Sequence, residues 1–328
     1  MGVESYTGRK AAADPPAAEA PPRTFDVTVL RGGPGSEREV SLMSGRAVAE
    51  ALARAGHRVT AADIHPDDVG ALDREDLEVV FIALHGEFGE NGRVQELCEA
   101  RGLTYVGSGP AASELAMDKH LSKQVFRQAG VLTPDWAVVG ADDGSARRRR
   151  ALAAVPPACV VKPVDSGSSV DVTIARDAEA RDAALAGVLD RYGRAMVEAF
   201  VDGRELTVGV LAERPLPVIE IIPREAFYNY VAKYEDDGTR YVADPDLPAG
   251  VREALPAAAL KVHRALGCRD LSRVDFILDA QGRPWALEAN TIPGFTSHSL
   301  VPKAAAAAGI DFASLCDRLV RLAADRGR

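Results

Sequence analysis

Three side chains in the C-terminal part of the sequence could hold a hard cation. Asp275, Glu288 and Asn290 supply two carboxylates and an amide oxygen, the donors that Mg²⁺ prefers. Val274, Phe276 and Leu278 alternate with Arg273, Asp275 and Asp279, the stretch Asp279–Gly282 offers turn residues, and Trp285–Asn290 forms a second run. The pattern predicts a β-hairpin. Strand side chains alternate between faces, so Glu288 and Asn290 share one. Asp275 joins them in only one of two registers, and the turn length leaves the register open. The alternative is an ordinary hairpin whose acidic residues face water. The loop that follows, Thr291–Gly294 and Thr296–Ser299, is dense in donors and exposed backbone, as functional loops are.

Other reactive groups sit where secondary structure would end. Glu37 follows the turn Arg31–Ser36 and opens a helical pattern running to Ala55. There it either complements the helix dipole or holds a substrate cation such as an ammonium. Dinucleotide binding is excluded, because the last glycine of G-x-G-x-x-G is missing and Glu37 stands where pyrophosphate would lie. His85 ends the apolar run Leu77–Leu84, which reads as a buried parallel strand with its ligand-binding end at the histidine. The strand Cys159–Pro163 delivers Lys162 to the loop Val164–Val170, whose N–H groups and serine hydroxyls can cradle phosphates. No Walker G-K-[ST] is present. Ala195–Leu211 reads as strand–turn–strand, or as a hinge lining a nucleotide cleft. Pro223–Pro248 is long and tyrosine-bearing, which predicts a lid.

A scaffold must bring these groups together. A strand over Phe25–Leu30, the Glu37–Ala55 helix, the Leu77–Leu84 strand, a helix over Val94–Ala100 and a strand over Thr104–Gly107 make a small α/β unit. A helix opens at Met117–Lys123, a strand follows at Trp136–Val139, and further helices are predicted over Pro248–Leu266 and Phe312–Ala324. The basic run Arg147–Arg150 reads as a solvated helix face. The 328 residues suffice for two or three domains, and 47% hydrophobic residues can build their cores. A net charge of −9 argues against nucleic acid or an anionic membrane as partner, and no apolar stretch is long enough to span a bilayer. The four cysteines lack metal-site spacing and read as free thiols in a reducing cytoplasm. Residues 1–23, rich in Ala, Pro and charge, predict a disordered extension without the apolar core of a signal peptide.

With these pieces in order, the chain resembles the D-alanine–D-alanine ligases of the ATP-grasp superfamily over about residues 25–325. The matching stretches are Gly32-Gly33 with Ser36–Ser41, Leu84-His85-Gly86, Met117-Asp118-Lys119, Val161-Lys162-Pro163 with Gly167–Val170, Phe227-Tyr228 with Ala232-Lys233-Tyr234, and Leu287–Thr291 with Pro293-Gly294 and Ser297–Leu300. The resemblance implies an α/β fold of three domains, at 24–115, 116–201 and 202–328, the last carrying the lid 223–248. It implies ATP between the second and third. Lys119 and Lys162 would contact the phosphates, and Ser168 and Ser169 would cover them. Glu198 and the Val201 backbone would meet the adenine, with Phe227 also on the nucleotide and Glu205 on the ribose. Asp275, Glu288 and Asn290 would hold two Mg²⁺ ions, a place Mn²⁺ could also take. Arg273 and the Gly294 N–H would stabilise a tetrahedral oxyanion. Glu37 would hold the ammonium of a first D-alanine near His85, while Lys233, Ser299 and Leu300 would bind the second. Tyr234 would bond toward Ser168 and close the site. The implied product is D-alanyl-D-alanine for peptidoglycan, made by a cytoplasmic homodimer.

Two features depart from the family pattern. Asp171 replaces the glycine that usually ends Gly-Ser-Ser-Val-Gly, and Asn229 and Val231 stand where acidic residues are common. They leave two alternatives: the same mechanism with another second substrate, and a non-catalytic nucleotide-binding homologue. Lys233-Tyr234 favours an amine over a hydroxyl as nucleophile.

Overall fold

Val27, Val29 and Leu30 are buried, as are Val79 through Leu84, the pattern of strands covered on both faces. In the computed structural model of the protein, which describes residues 23–167, 170–223 and 238–327, they lie in a parallel three-stranded sheet. β1 (Asp26–Gly32) runs between β2 (Arg58–Ile64) and β3 (Val79–Ile82), and α1 (Arg38–Arg54) makes the first crossover. Short helices α2 (Glu87–Glu90) and α3 (Arg93–Glu99) follow. The strand expected at Thr104–Gly107 reduces to one bridge, Tyr105 to Val80. Its ladder stops because the Gly107 N–H is drawn to Asp270 Oδ2, at 2.8 Å.

After α4 (Pro110–Met117), Asp118 interrupts the helical run with an extended backbone. Its carboxylate accepts from the N–H groups of His120 and Leu121, and so caps α5 (Lys119–Gln128). A four-stranded antiparallel sheet comes next, in the order β4 (Trp136–Gly140), β7 (Arg194–Ala199), β5 (Cys159–Pro163), β6 (Thr173–Ala175). Helices α6 (Ser145–Leu152) and α7 (Ala178–Tyr192) accompany it. No residue of α6 is buried, so Arg147–Arg150 does lie on a solvated face.

The third sheet has the order β11 (Arg240–Ala243), β10 (Ile219–Ile222), β8 (Gly203–Leu211), β12 (Leu271–Asp279), β13 (Pro284–Asn290), with β9 (Arg214–Pro215) also on β8. β7 and β8 are consecutive yet belong to different sheets, so Ala195–Leu211 crosses from one sheet to the other and is no simple hairpin. β11 falls inside the stretch expected to be a lid, which makes part of it a sheet edge. Helices α8 (Ala249–Ala265), α9 (Leu300–Ala307) and α10 (Phe312–Arg326) complete the fold.

The apolar cores do not follow the sheets one to one. Val29, Leu52 and Phe81 of the first sheet and its helix share a cluster with Leu271, Phe295 and Leu319. Phe126 and Val131, around the end of α5, pack with Leu206, Val208 and Val274 of the third sheet. The four-stranded sheet keeps a cluster of its own, with Val161, Leu185 and Val197. Polar contacts reinforce the first join: His57 Nε2 lies 2.9 Å from Asp317 Oδ1 on α10. All four cysteines are free and buried. Among the described residues no helix is long and apolar enough to cross a membrane.

Candidate active site

The β12–β13 register places Asp275 directly opposite Glu288, and Arg273 opposite Asn290. Directly paired residues project to one face, so the four groups meet at the end of the hairpin. A register shift between Asp275 and Phe276 separates this pairing from the one nearer the turn. Asp275 is buried and densely bonded. The Arg273 guanidinium grips both its oxygens, at 2.8 and 2.7 Å, Thr207 of β8 donates to Oδ1 at 2.6 Å, and the Asn290 amide reaches Oδ2 at 3.4 Å. Glu288 Oε2 lies 3.5 Å from Lys119 Nζ.

Among the described residues no three His, Cys, Asp or Glu side chains gather into a metal cage. Mg²⁺ seldom needs one, since one or two carboxylates, phosphate oxygens and water complete its octahedron. The hairpin set is all hard oxygen and fits that mode.

A cleft of about 360 Å³ opens between the second and third sheets, beside the hairpin. Lys119, Lys162, Glu198, Val201, Glu205 and Glu288 are among its walls, together with apolar Ile174, Phe200 and Ile222. Glu198, expected at the adenine, is only 2% exposed. Its Oε1 accepts from Lys162 Nζ at 2.9 Å, and its Oε2 lies 2.5 Å from Lys123 Nζ. Burial pushes the Glu198 carboxyl up, but the two lysines together hold it below its ordinary value. Burial pulls Lys123 down to about 8 against the opposing pull of Glu198. Lys123 was not singled out by the sequence reading. The available signal was its place one helical turn after Lys119, on the same face of α5. Lys119 faces the β5–β6 loop: Nζ donates to the Ser166 carbonyl at 2.6 Å, and its backbone N–H to the Val164 carbonyl at 2.9 Å.

A second cavity, about 1000 Å³, is lined by Glu37, Gly86, Ser166, Gly167 and Tyr192 among others. Glu37 is the N-cap residue of α1, but its side chain makes no cap hydrogen bond; its carboxylate lies instead against Gly86. A Cβ there would fall 2.9 Å from Glu37 Oε2, and the Gly86 φ of +82° independently favours glycine. Gly167 brings the β5–β6 loop to the same carboxylate, within 3.7 Å of Oε2 for a Cβ built on it. His85 is buried, 2.9 Å from Ser44 Oγ and 3.6 Å from Glu90 Oε1. Burial raises the Glu90 carboxyl, which His85 counteracts. Glu90, too, went unnoticed in the sequence.

Gly294 lies against Ser299, whose Oγ would be 3.2 Å from a Cβ at that position. Ser299 is the N-cap residue of α9 and Leu300 its first residue, and Ser299 Oγ accepts the Thr296 N–H at 3.0 Å. Asp171, the departure in the phosphate loop, has a φ of +55°, a region where aspartate is tolerated better than most residues. Its carboxylate turns to α7, taking a hydrogen bond from Tyr192 at 2.6 Å and an ion pair from Arg191 at 2.8 Å. Ser168, Ser169, Phe227, Asn229, Val231, Lys233 and Tyr234 lie outside the described residues, as do residues 1–22 of the N-terminal extension.

Two sheets closing on a lysine-lined cleft, with an acidic hairpin at one end and a parallel α/β unit in front, define an ATP-grasp enzyme. The D-ala D-ala ligase N-terminus and C-terminus family models match residues 68–108 and 125–321. The D-alanine–D-alanine ligase of Gloeobacter violaceus is 45% identical over 295 residues, covering 90% of this chain and 98% of that one. The Bordetella avium ligase is 46% identical over 88% of this chain and 92% of its own length. Among solved structures, the Bacillus anthracis D-alanine–D-alanine ligase complexed with ATP superposes with a TM-score of 0.79 at 31% identity, over 93% of this chain and 99% of that one. VanG D-Ala:D-Ser ligase of Enterococcus faecalis gives 0.80 at 26% identity, over 92% of this chain and all of its own. The chain belongs to the D-alanine–D-alanine ligase family.

Proposed function

We propose that the protein joins two D-alanines into D-alanyl-D-alanine at the expense of ATP, releasing ADP and phosphate, as a cytoplasmic homodimer supplying peptidoglycan synthesis. The observation that carries the residue assignments is the shared hairpin end, where Arg273, Asp275, Glu288 and Asn290 converge beside Lys119. The Asp171–Arg191 pair removes the reason for a non-catalytic reading, because the unexpected charge is neutralised on α7.

ATP lies in the cleft between the second and third sheets. Lys119 and Lys162 face its phosphates, Lys162 being fixed in direction by Glu198. A carboxylate oxygen of the first D-alanine, its ammonium held by Glu37 with His85 behind, attacks the γ-phosphorus. ADP leaves and an acyl phosphate remains. Asp275, Glu288 and Asn290 would hold Mg²⁺, which when bound would offset charge on the transferring group. The free amine of the second D-alanine, its carboxylate on Lys233 and Ser299, then attacks the acyl carbon. The resulting oxyanion takes hydrogen bonds from Arg273 and the Gly294 N–H. Collapse expels phosphate and leaves the peptide bond. Ser168 and Ser169 cover the phosphates, and Tyr234 closes the site, because the acyl phosphate must be kept from water. Phe227, Glu198 and Val201 form the adenine end and Glu205 meets the ribose.

The test is phosphate release together with mass spectrometry of products, using purified protein, MgATP and a mixture of D- and L-amino acids and D-hydroxy acids. The expected product is D-alanyl-D-alanine, formed with one phosphate each. No phosphate above background on adding D-alanine overturns the assignment.

A further inference from the structure

The loop between β5 and β6 is tethered at its start by Lys119 and at its end by groups that no step of the reaction uses. At its start, the Ser166 carbonyl receives Lys119 Nζ at 2.6 Å, and the Val164 carbonyl receives the Lys119 N–H. At its end, Asp171 occupies the left-handed region with a φ of +55°. Its two carboxylate oxygens are taken by Tyr192 Oη, at 2.6 Å, and by Arg191, at 2.8 Å. Ser166 and Gly167 of the loop line the same cavity as Tyr192. A phenol has one proton to give and a carboxylate only lone pairs to receive with, so the direction is set: Tyr192 donates to Asp171. The loop is thus held at its start by Lys119 and at its end by the last two residues of α7. The first tether sets the Ser166 carbonyl in front of Lys119, a lysine in the wall of the nucleotide cleft.

Glycine would satisfy the backbone at 171 without strain, yet would leave Tyr192 without its acceptor. Aspartate accepts some conformational cost in return for a charged anchor. We infer that Asp171 and Tyr192 are positioning residues: together they fix the end of the phosphate loop on α7, and so fix the loop whose start holds Lys119 against the nucleotide. The inference deepens the ligase reading and rests on it for the kinetic arm of its test.

The test compares wild type with Tyr192→Phe, Asp171→Gly, Asp171→Asn and the double variant Tyr192→Phe/Asp171→Gly. The readouts are affinity for a non-hydrolysable MgATP analogue by calorimetry, KM for ATP, KM for D-alanine, kcat and Tm. Tyr192→Phe and Asp171→Gly should each weaken analogue binding and raise KM for ATP about tenfold, the size of one hydrogen bond to a charged acceptor. KM for D-alanine should stay within about twofold and Tm within about 2 °C, changes that a merely structural role would not separate. The double variant should be no worse than either single one, because both remove the same link. Asp171→Asn, which tolerates the same φ and keeps an acceptor oxygen, should recover most of the affinity. Wild-type-like binding in both Tyr192→Phe and Asp171→Gly, or losses that multiply in the double variant, overturns the inference. So does a wild type that fails to bind the analogue. A wild type that binds the analogue and yields no dipeptide overturns the ligase reading alone, since the binding arm still decides the role of Asp171 and Tyr192.

Discussion

Replacing Glu198 by glutamine tests the physical basis of the nucleotide cleft. The wild-type carboxylate is almost fully buried between Lys162 and Lys123, with Lys123 itself 0% exposed. Glutamine keeps the shape and removes the charge, so two ammonium groups face each other in a poorly solvated space. Breaking a buried ion pair by removing one partner costs about 3–5 kcal/mol. At roughly 2 °C per kcal/mol for a chain of this size, Tm should fall by about 6–10 °C near pH 7, read by circular dichroism. The pH dependence has a definite sign. Burial lowers Lys123 in the wild type to about 8, against an ordinary value of 10.5. Between those values the unfolded chain binds more protons than the folded one, so this group makes stability rise with pH through that window, by at most about 1.4 kcal/mol per unit. Losing the carboxylate lowers the folded value further and extends the window downward. The deficit of Glu198→Gln should therefore be largest near pH 7 and shrink toward pH 10. A melting temperature within about 1 °C of wild type at pH 7, or a deficit that grows with pH, would refute the reasoning.

Arg273→Lys keeps the charge but loses the two-pronged grip on Asp275 and the oxyanion donor proposed above, and kcat should drop about 10²–10³-fold in a phosphate-release assay with KM for ATP little changed. His57→Ala removes the link to Asp317 and the acceptor of the Phe25 N–H; chemical denaturation should show a loss of about 1–3 kcal/mol while kcat at saturation stays near wild type. Burial pushes the thiols of Cys98 and Cys268 up to about 12 and about 11, and that of Cys316 higher still. The native protein should thus leave an aromatic disulfide reagent unconsumed at pH 8 and release four thiols per chain only in denaturant.

The hairpin could be read from its alternation, but the meeting of Asp275 with Glu288 could not. A one-residue slip reverses every face, and the register is settled by neighbouring strand β8 and a local irregularity, both tertiary facts. β2 went unseen because Arg58–Ile64 is largely exposed and lacks a clean apolar alternation. α7 was missed although Asp177 and Gly193 bracket it as caps; its alanines blur the helical period. The strand expected at Thr104–Gly107 had the right composition, and it lost to a competing bond from Asp270. Lys162 was visible as the end of an apolar run. Lys123, Glu90 and Tyr192 carry no motif of their own, and their roles depend on what packs against them. The charge at Asp171 looked adverse in isolation because its partners, Arg191 and Tyr192, lie some twenty positions on in the chain, on a helix that the sequence did not announce.

The unequal sharing of apolar cores bears on how the cleft opens. The first and third sheets are welded through one packed interior, and α5 is seated on the same side. The strands from Trp136 to Ala199 keep their own interior and join the rest by the short stretches before β4 and after β7. Close-packed interiors move as units, so this sheet is the jaw and everything else the anvil. Lys162 rides on the jaw and Lys119 on the anvil, with the Glu198–Lys123 pair fastened across the gap between them. Swinging the jaw outward would part Lys162 from Lys119 and lift Ser166 and Gly167 away from Glu37, while Glu37, Arg273 and the acidic hairpin keep their mutual spacing, so that one motion would unseal both cavities.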